Sequence, residues 1–212
     1  MLIDLKKYLR VPVTGVIQVG AHKGGELDYI ESMTNNILLF EPQKNAFDEL
    51  KTKIKSSTIA ENFALGSDNQ ENCTMYKEFS NDSQSSSLLK PALHLKQYPR
   101  IQFTETETVN IKTLDSYLEK SNIPYNILMI DVQGFELNVL RGAKNTLNYI
   151  DYILCEVNRE ELYENCAKVE EIDEYLLDFG FDRIVTNWAG WTWGDALYEN
   201  KRTIGLRKPI LA

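Results

Sequence analysis

The chain has 212 residues, 43% of them hydrophobic and 25% charged, with a net charge of -8. That length supports one good core and excludes general disorder, and the acidic balance speaks against a phosphate-backbone partner such as nucleic acid. Three scattered cysteines and no apolar run of membrane-spanning length exclude a disulfide framework and a transmembrane helix. The first ten residues lack the apolar core and cleavage site of a signal peptide, so a cytoplasmic protein is expected.

In chain order, Leu2, Leu5 and Leu9 predict a short N-terminal helix over residues 2–10. Residues 15–19 are a β-branched, apolar strand that runs into a glycine-rich turn at residues 20–25, then a helix to about Met33. Such a strand–turn–helix unit is where α/β sheets hold nucleotide-like ligands, with glycines allowing close backbone approach and helix amides facing the ligand. Residues 36–40 predict a second buried strand ending at Glu41 and Pro42. Glu41 stands about twenty residues beyond Gly20, the spacing at which an acid accepts hydrogen bonds from a ribose diol, and Pro42 suits the first turn of the next helix. A third strand is expected over residues 58–66, which would bring Asn62 and Ala64 to the ligand crevice.

Residues 72–79 resemble an edge strand or hairpin arm, and the serine-rich residues 80–87 read as a mobile loop over the site. His94 is expected to be structural. Residues 108–111 predict a strand, followed by a helix capped by Thr113 or Asp115. Residues 125–136 repeat the first device: an apolar strand ends in Asp131, turns at Gly134 and enters a helix. Residues 151–158 do so again with Glu156. A helix over residues 168–179 stops at Gly180, residues 181–186 form a strand, and Trp188, Trp191 and Trp193 cluster beyond it. Residues 196–198 and 203–206 read as strands, the first antiparallel at the sheet edge.

Strands alternating with helices predict an α/β parallel sheet over one domain, residues 1–212, in which residues 1–12 form an N-terminal helix and residues 72–108 an insertion over the site. Two cofactor classes compete. A dinucleotide requires a tight G-x-G-x-x-G turn, whereas here Ala21 and His22 fall between Gly20 and Gly24. The wider turn favours a ligand with ribose and adenine but no phosphates. A nicotinamide-dependent oxidoreductase and a non-catalytic binding module remain the rivals.

The segments 16–24, 39–42, 62–66, 130–143 and 154–156, in that order, resemble the FkbM family of S-adenosylmethionine-dependent methyltransferases. The resemblance implies a Rossmann-like, seven-stranded, mostly parallel sheet with helices on both faces and an antiparallel last strand. It implies S-adenosylmethionine as cofactor and O-methylation of a hydroxyl on a sugar, glycan or secondary metabolite. It places Gly20, Ala21 and Gly24 at the methionine end, Glu41 and Pro42 at the ribose, Ala64 and Leu65 near adenine, and Asp131 near the transferring methyl. The chain departs from the family at Gln18 and Gln133, where acids are common, and at His22, where asparagine is common. Gln18 therefore loses a carboxylate for the cofactor's amino group, and Gln133 makes a tight metal cluster less favourable; no metal is assigned. A hydroxyl acceptor needs a base, for which Asp131, Glu156 and His22 are candidates in that order. Ser86, Ser87, Glu136, Asn158 and Trp191 are the acceptor-site candidates, although tryptophans also serve core or subunit contacts.

Overall fold

The computed structural model describes residues 2–119 and 125–207. Ten strands form two sheets. The main one contains β1 (Val16–Val19), β2 (Ile37–Phe40), β3 (Ile59–Glu61), β7 (Ile127–Ile130), β8 (Tyr152–Asn158), β9 (Phe181–Ala189) and β10 (Trp193–Asn200), in the order β3-β2-β1-β7-β8-β10-β9. β1 pairs in parallel with both β2 and β7, so the chain reverses its direction of sheet growth at β1. A crevice opens beyond the carboxyl ends of strands at such a switch point. The smaller sheet has the order β4-β6-β5, from β4 (Ala64–Leu65), β5 (Gln70–Glu78) and β6 (Phe103–Lys112).

Every residue of β1, β2, β7 and β8 is buried, as their continuous apolar runs require. Alternation divides these strands between two core layers. One layer joins Ile17, Val19, Leu38, Phe40, Leu128 and Ile130 to Leu137, Val139 and Leu140 of α5 (Glu136–Arg141) and Ile172 and Leu176 of α6 (Val169–Leu177). The other joins Val16, Ile37, Leu39, Ile127 and Met129 to Leu27 and Ile30 of α1 (Leu27–Glu31) and Leu50 of α2 (Lys44–Lys53). The remaining helices are short: α3 (Leu93–Gln97), α4 (Leu114–Leu118) and α7 (Lys201–Ile204). Thr113 caps α4, its hydroxyl accepting from the Ser116 amide at 3.1 Å, while Asp115 turns away to hold the amides of Asn145 and Thr146.

Several expectations are corrected. Residues 2–10 hold only a three-residue 3-10 turn, Leu5–Lys7, with no side-chain cap at Asp4. α1 starts at Leu27, so the turn itself, rather than a helix terminus, faces the crevice. The single strand expected over residues 58–66 is two: β3 in the main sheet and β4 in the smaller one, separated where Phe63 folds back onto Phe40 and Tyr117. β10 is antiparallel but lies between β8 and β9, not at the edge. Its acids Asp195 and Glu199 disguise a strand that is buried almost throughout. Residues expected as a last strand instead form α7, because the Asn200 side chain accepts from the Arg202 and Thr203 amides and starts a helix there.

Candidate active site

A chamber of about 550 Å³ lies over the carboxyl ends of β1, β2, β7 and β8, within the range of small-molecule sites. Its floor is fixed at Gly20, whose φ of +84° is a left-handed conformation. A Cβ there would lie 1.8 Å from the Asp131 carbonyl oxygen, so only glycine lets the ends of β1 and β7 approach this closely.

Glu41 follows β2 and is 2% exposed. Its carboxylate accepts the His22 amide and the Gln43 amide, each at 2.7 Å, one on each oxygen. No hydrogen bond from a lysine or arginine reaches it among the described residues, and burial pushes its pKa up to about 7. Each oxygen keeps lone-pair capacity for another donor, which suits the two hydroxyls of a diol. The His22 amide is aimed by a left-handed φ of 45°. The His22 ring lies near Asp82, Lys23 and Glu49, and burial lowers its pKa.

Asp131 ends β7 and is exposed to the chamber, with protein around its other sides. Gln133 holds it to Glu156: the Gln133 amide nitrogen donates to Asp131 Oδ1 at 2.8 Å and to Glu156 Oε2 at 3.2 Å. Gln133 is itself held by Tyr163, whose hydroxyl lies 2.8 Å from Gln133 Oε1 and 2.9 Å from the Ser85 carbonyl oxygen. Asp195 of β10 lies directly across from Glu156 in the antiparallel pair and accepts the Leu2 amide. Like charges directly opposite one another destabilise a sheet, so ionising both carboxyls here is unfavourable. Burial raises the pKa of Asp131 to about 6, with Asp195 and Glu26 adding to the shift. Burial and the charges of Asp131, Glu136 and Asp195 raise Glu156 further.

Ten of the sequence candidates line the chamber: Gly20, His22, Glu41, Pro42, Ala64, Leu65, Ser86, Asp131, Gln133 and Glu156. The others do not. Gln18 faces α1 and donates to Glu26 Oε2 at 3.1 Å, and it is Glu26 that brings an acid to the chamber. Ala21 packs into the core, and Gly24 turns against Leu50. Asn62 braces the loop after β2 by donating to the Glu41 and Pro42 carbonyls. Ser87 donates to the Gln133 carbonyl at 2.7 Å, and Ser85, Ser86 and Ser87 are buried, so the end of the serine-rich segment packs against the site while Ser80, Asn81, Asp82 and Gln84 are exposed. Glu136 is buried behind the site, where Oε1 accepts the Val132 and Gly134 amides. Asn158 is buried outside the chamber lining, and Trp191 is 85% exposed at the β9–β10 hairpin tip. Trp193, two residues on, lines the chamber in its place. His94, expected to be structural, lines it as well.

Five acids (Glu26, Glu41, Asp131, Glu156 and Asp195) line the chamber, with no lysine or arginine among the described lining residues. That donor set fits a ligand carrying positive charge and a ribose diol, as S-adenosylmethionine does. Among the described residues, no three His, Cys, Asp or Glu side chains converge to hold a metal ion.

The sheet order, the inserted antiparallel β10 and the acid-lined crevice at the β1 switch point define a class I S-adenosylmethionine-dependent methyltransferase. Residues 18–183 match the model of the methyltransferase FkbM domain, and the chain belongs to that family. The chain is 29% identical over 119 residues to the 2-O-methyltransferase NoeI of Sinorhizobium fredii (strain NBRC 101917 / NGR234), a match covering 56% of this chain and 48% of that protein. It therefore spans about half the length of that relative. Two solved structures share the fold. One is a candidate S-adenosylmethionine-dependent methyltransferase from Listeria monocytogenes, with a TM-score of 0.52, 11% identity, and coverage of 93% of this chain and 96% of that one. The other is a protein in the NADB-Rossmann superfamily from Streptococcus agalactiae, with a TM-score of 0.51, 8% identity, and coverage of 92% and 65%. No described helix is long and apolar enough to cross a membrane.

The buried acids give a pH dependence of stability. Burial pushes the pKa values of Glu41 and Glu136 up to about 7, above their ordinary values. Between roughly pH 4.5 and 7 the folded protein holds protons that the unfolded chain has released, so its stability falls as pH rises through that window. The melting temperature of the ligand-free protein is expected to drop by on the order of 5–10 °C from pH 5 to pH 8. A melting temperature that rises over this interval in a calorimetric scan would contradict the burial of these acids without counter-charges.

Proposed function

We propose that this methyltransferase acts on a hydroxyl of a sugar ring, with Asp131 as the base. The observation that carries this reading is the Asp131–Gln133–Glu156 bridge facing the chamber. Two adjacent carboxyls joined by a neutral amide share their protons, and the pair titrates as a unit. Burial raises both carboxyls above the ordinary range, and Asp131 is the one that opens to the chamber, so it is the one placed to reach an acceptor hydroxyl.

When bound, the cofactor supplies an electrophilic methyl group on a cationic sulfur. Glu41 holds the ribose diol. Ala64 and Leu65, with Phe63, form the adenine wall. Glu26, held by Gln18, replaces the missing strand-end acid beside the amino group. Asp131 would take the acceptor's hydroxyl proton, and the bound cofactor would supply the methyl group to that oxygen. Gln133 fixes the spacing between Asp131 and Glu156 by donating to both. The NoeI relative is named as a 2-O-methyltransferase, which supports oxygen as the acceptor atom.

The test is transfer from methyl-tritiated S-adenosylmethionine into a neutral glycan pool and, separately, into RNA. Label is expected in the glycan fraction and should survive mild alkali, as an ether does and an ester does not. Label in RNA alone, or alkali-labile label, contradicts the proposal.

A further inference from the structure

Away from the cofactor acids, one wall of the chamber carries polar groups that the reaction scheme leaves unused. His94 of α3 is 3% exposed, and its Nδ1 is buried with no hydrogen-bond partner. Its ring is fixed by aromatic contacts, with centroids 5.0 Å from Tyr98 and 5.4 Å from Tyr163. Tyr98 accepts two hydrogen bonds at its hydroxyl, each at 2.9 Å, from the Gln97 amide and the Trp193 indole. A phenol that accepts twice still has one proton to donate, and no described residue takes it. Three elements distant in sequence thus meet at a wall with a donor, an imidazole nitrogen and flat apolar faces.

We propose that the His94–Tyr98–Trp193 wall is the acceptor subsite, and that it takes an uncharged ring bearing several hydroxyls. The assignment rests on the methyl-transfer reading above and specifies the acceptor. Faces of His94, Tyr98 and Trp193 cover the apolar side of such a ring. The Tyr98 hydroxyl donates to one ring oxygen, and His94, whose Nδ1 is shut off from the chamber, backs the Tyr98 ring. Burial lowers the pKa of His94, so the imidazole there is neutral. Charge decides against anionic acceptors. Glu156 and Asp195 line the same chamber, and no described lining residue is a lysine or arginine.

Trp193 offers a direct readout, because the chain has only three tryptophans. Trp188→Phe with Trp191→Phe leaves Trp193 as the sole indole emitter, and neither replaced residue lines the chamber. In this protein, saturated with S-adenosylhomocysteine, methyl glycosides of neutral hexoses and 6-deoxyhexoses are titrated against hexose 6-phosphates. A saturable change in Trp193 emission is expected with at least one neutral glycoside and with no phosphate. Tyr98→Phe should weaken that response about tenfold, while the rise in melting temperature caused by S-adenosylhomocysteine stays. If S-adenosylhomocysteine raises the melting temperature but no glycoside alters emission, the subsite assignment is wrong and the transfer reading stands. Equal response to the phosphates, or a response untouched by Tyr98→Phe, also overturns the subsite. If S-adenosylhomocysteine leaves the melting temperature unchanged, the crevice reading fails and the subsite falls with it.

Discussion

Asp131→Asn is expected to lower methyl transfer by about 10²–10⁴-fold, the contribution typical of a positioned general base, while S-adenosylhomocysteine binding changes by no more than about threefold. The expectation follows from placement. β7 pairs in register with β1, and the Asp131 amide donates to the Val19 carbonyl at 3.0 Å, so the backbone at this acid is as fixed as the sheet. Its Oδ1 is held by Gln133. Asparagine keeps the size and one accepting oxygen but cannot take a proton. The pH profile gives a second readout. With Asp131 near 6, the wild-type rate should rise as pH increases through about 6, because the base must be ionised, and this limb should vanish in the variant. Parallel losses of turnover and of S-adenosylhomocysteine binding would instead make Asp131 a cofactor ligand only.

The strands that end in acids were legible because each is a short apolar run closed by a charged residue. Glu41, Asp131 and Glu156 all stand out in this way, and all three line the chamber. The turn at Gly20 was legible from its glycines, and its necessity is the close approach to the Asp131 carbonyl. What escaped was whatever depends on long-range pairing. Asp195 reaches the site only because β10 inserts antiparallel beside β8 and sets it across from Glu156. Its local pattern, acids flanking three apolar residues, reads as an edge strand. His94 and Tyr98 come from the connection between β5 and β6, and nothing in their spacing ties them to Trp193. Trp191 and Trp193 are chemically equivalent in the sequence, and only the β9–β10 hairpin turns one outward and the other inward. Gln18 stands at a strand end where the resemblance expects an acid, and its contact with Glu26 requires the turn to fold back over β1.

The other large effect is expected at Glu41. Glu41→Gln retains the shape but removes the charge and puts an amide NH₂ against one of two backbone donors, the His22 or the Gln43 amide. Hydrogen bonds to a charged acceptor are each worth about 1.5–3 kcal/mol, so loss of charge toward a diol should weaken binding by roughly 2–4 kcal/mol, or about 30- to 1000-fold. The fold should tolerate the change. Glu41 is buried and pushed up to about 7, so a neutral side chain there removes a strain that the ligand-free protein carries above that pH. The ligand-free melting temperature of the variant at pH 8 should equal or exceed that of the wild type.

Titration calorimetry with S-adenosylhomocysteine at pH 8, on the wild type and on Glu41→Gln, tests the central claim most directly: that the acid-lined chamber at the β1 switch point holds the cofactor through this carboxylate. The account predicts one-to-one binding to the wild type and binding at least thirtyfold weaker to the variant, with the variant's fold intact. No binding to the wild type, or equal affinity in the two proteins, would contradict it.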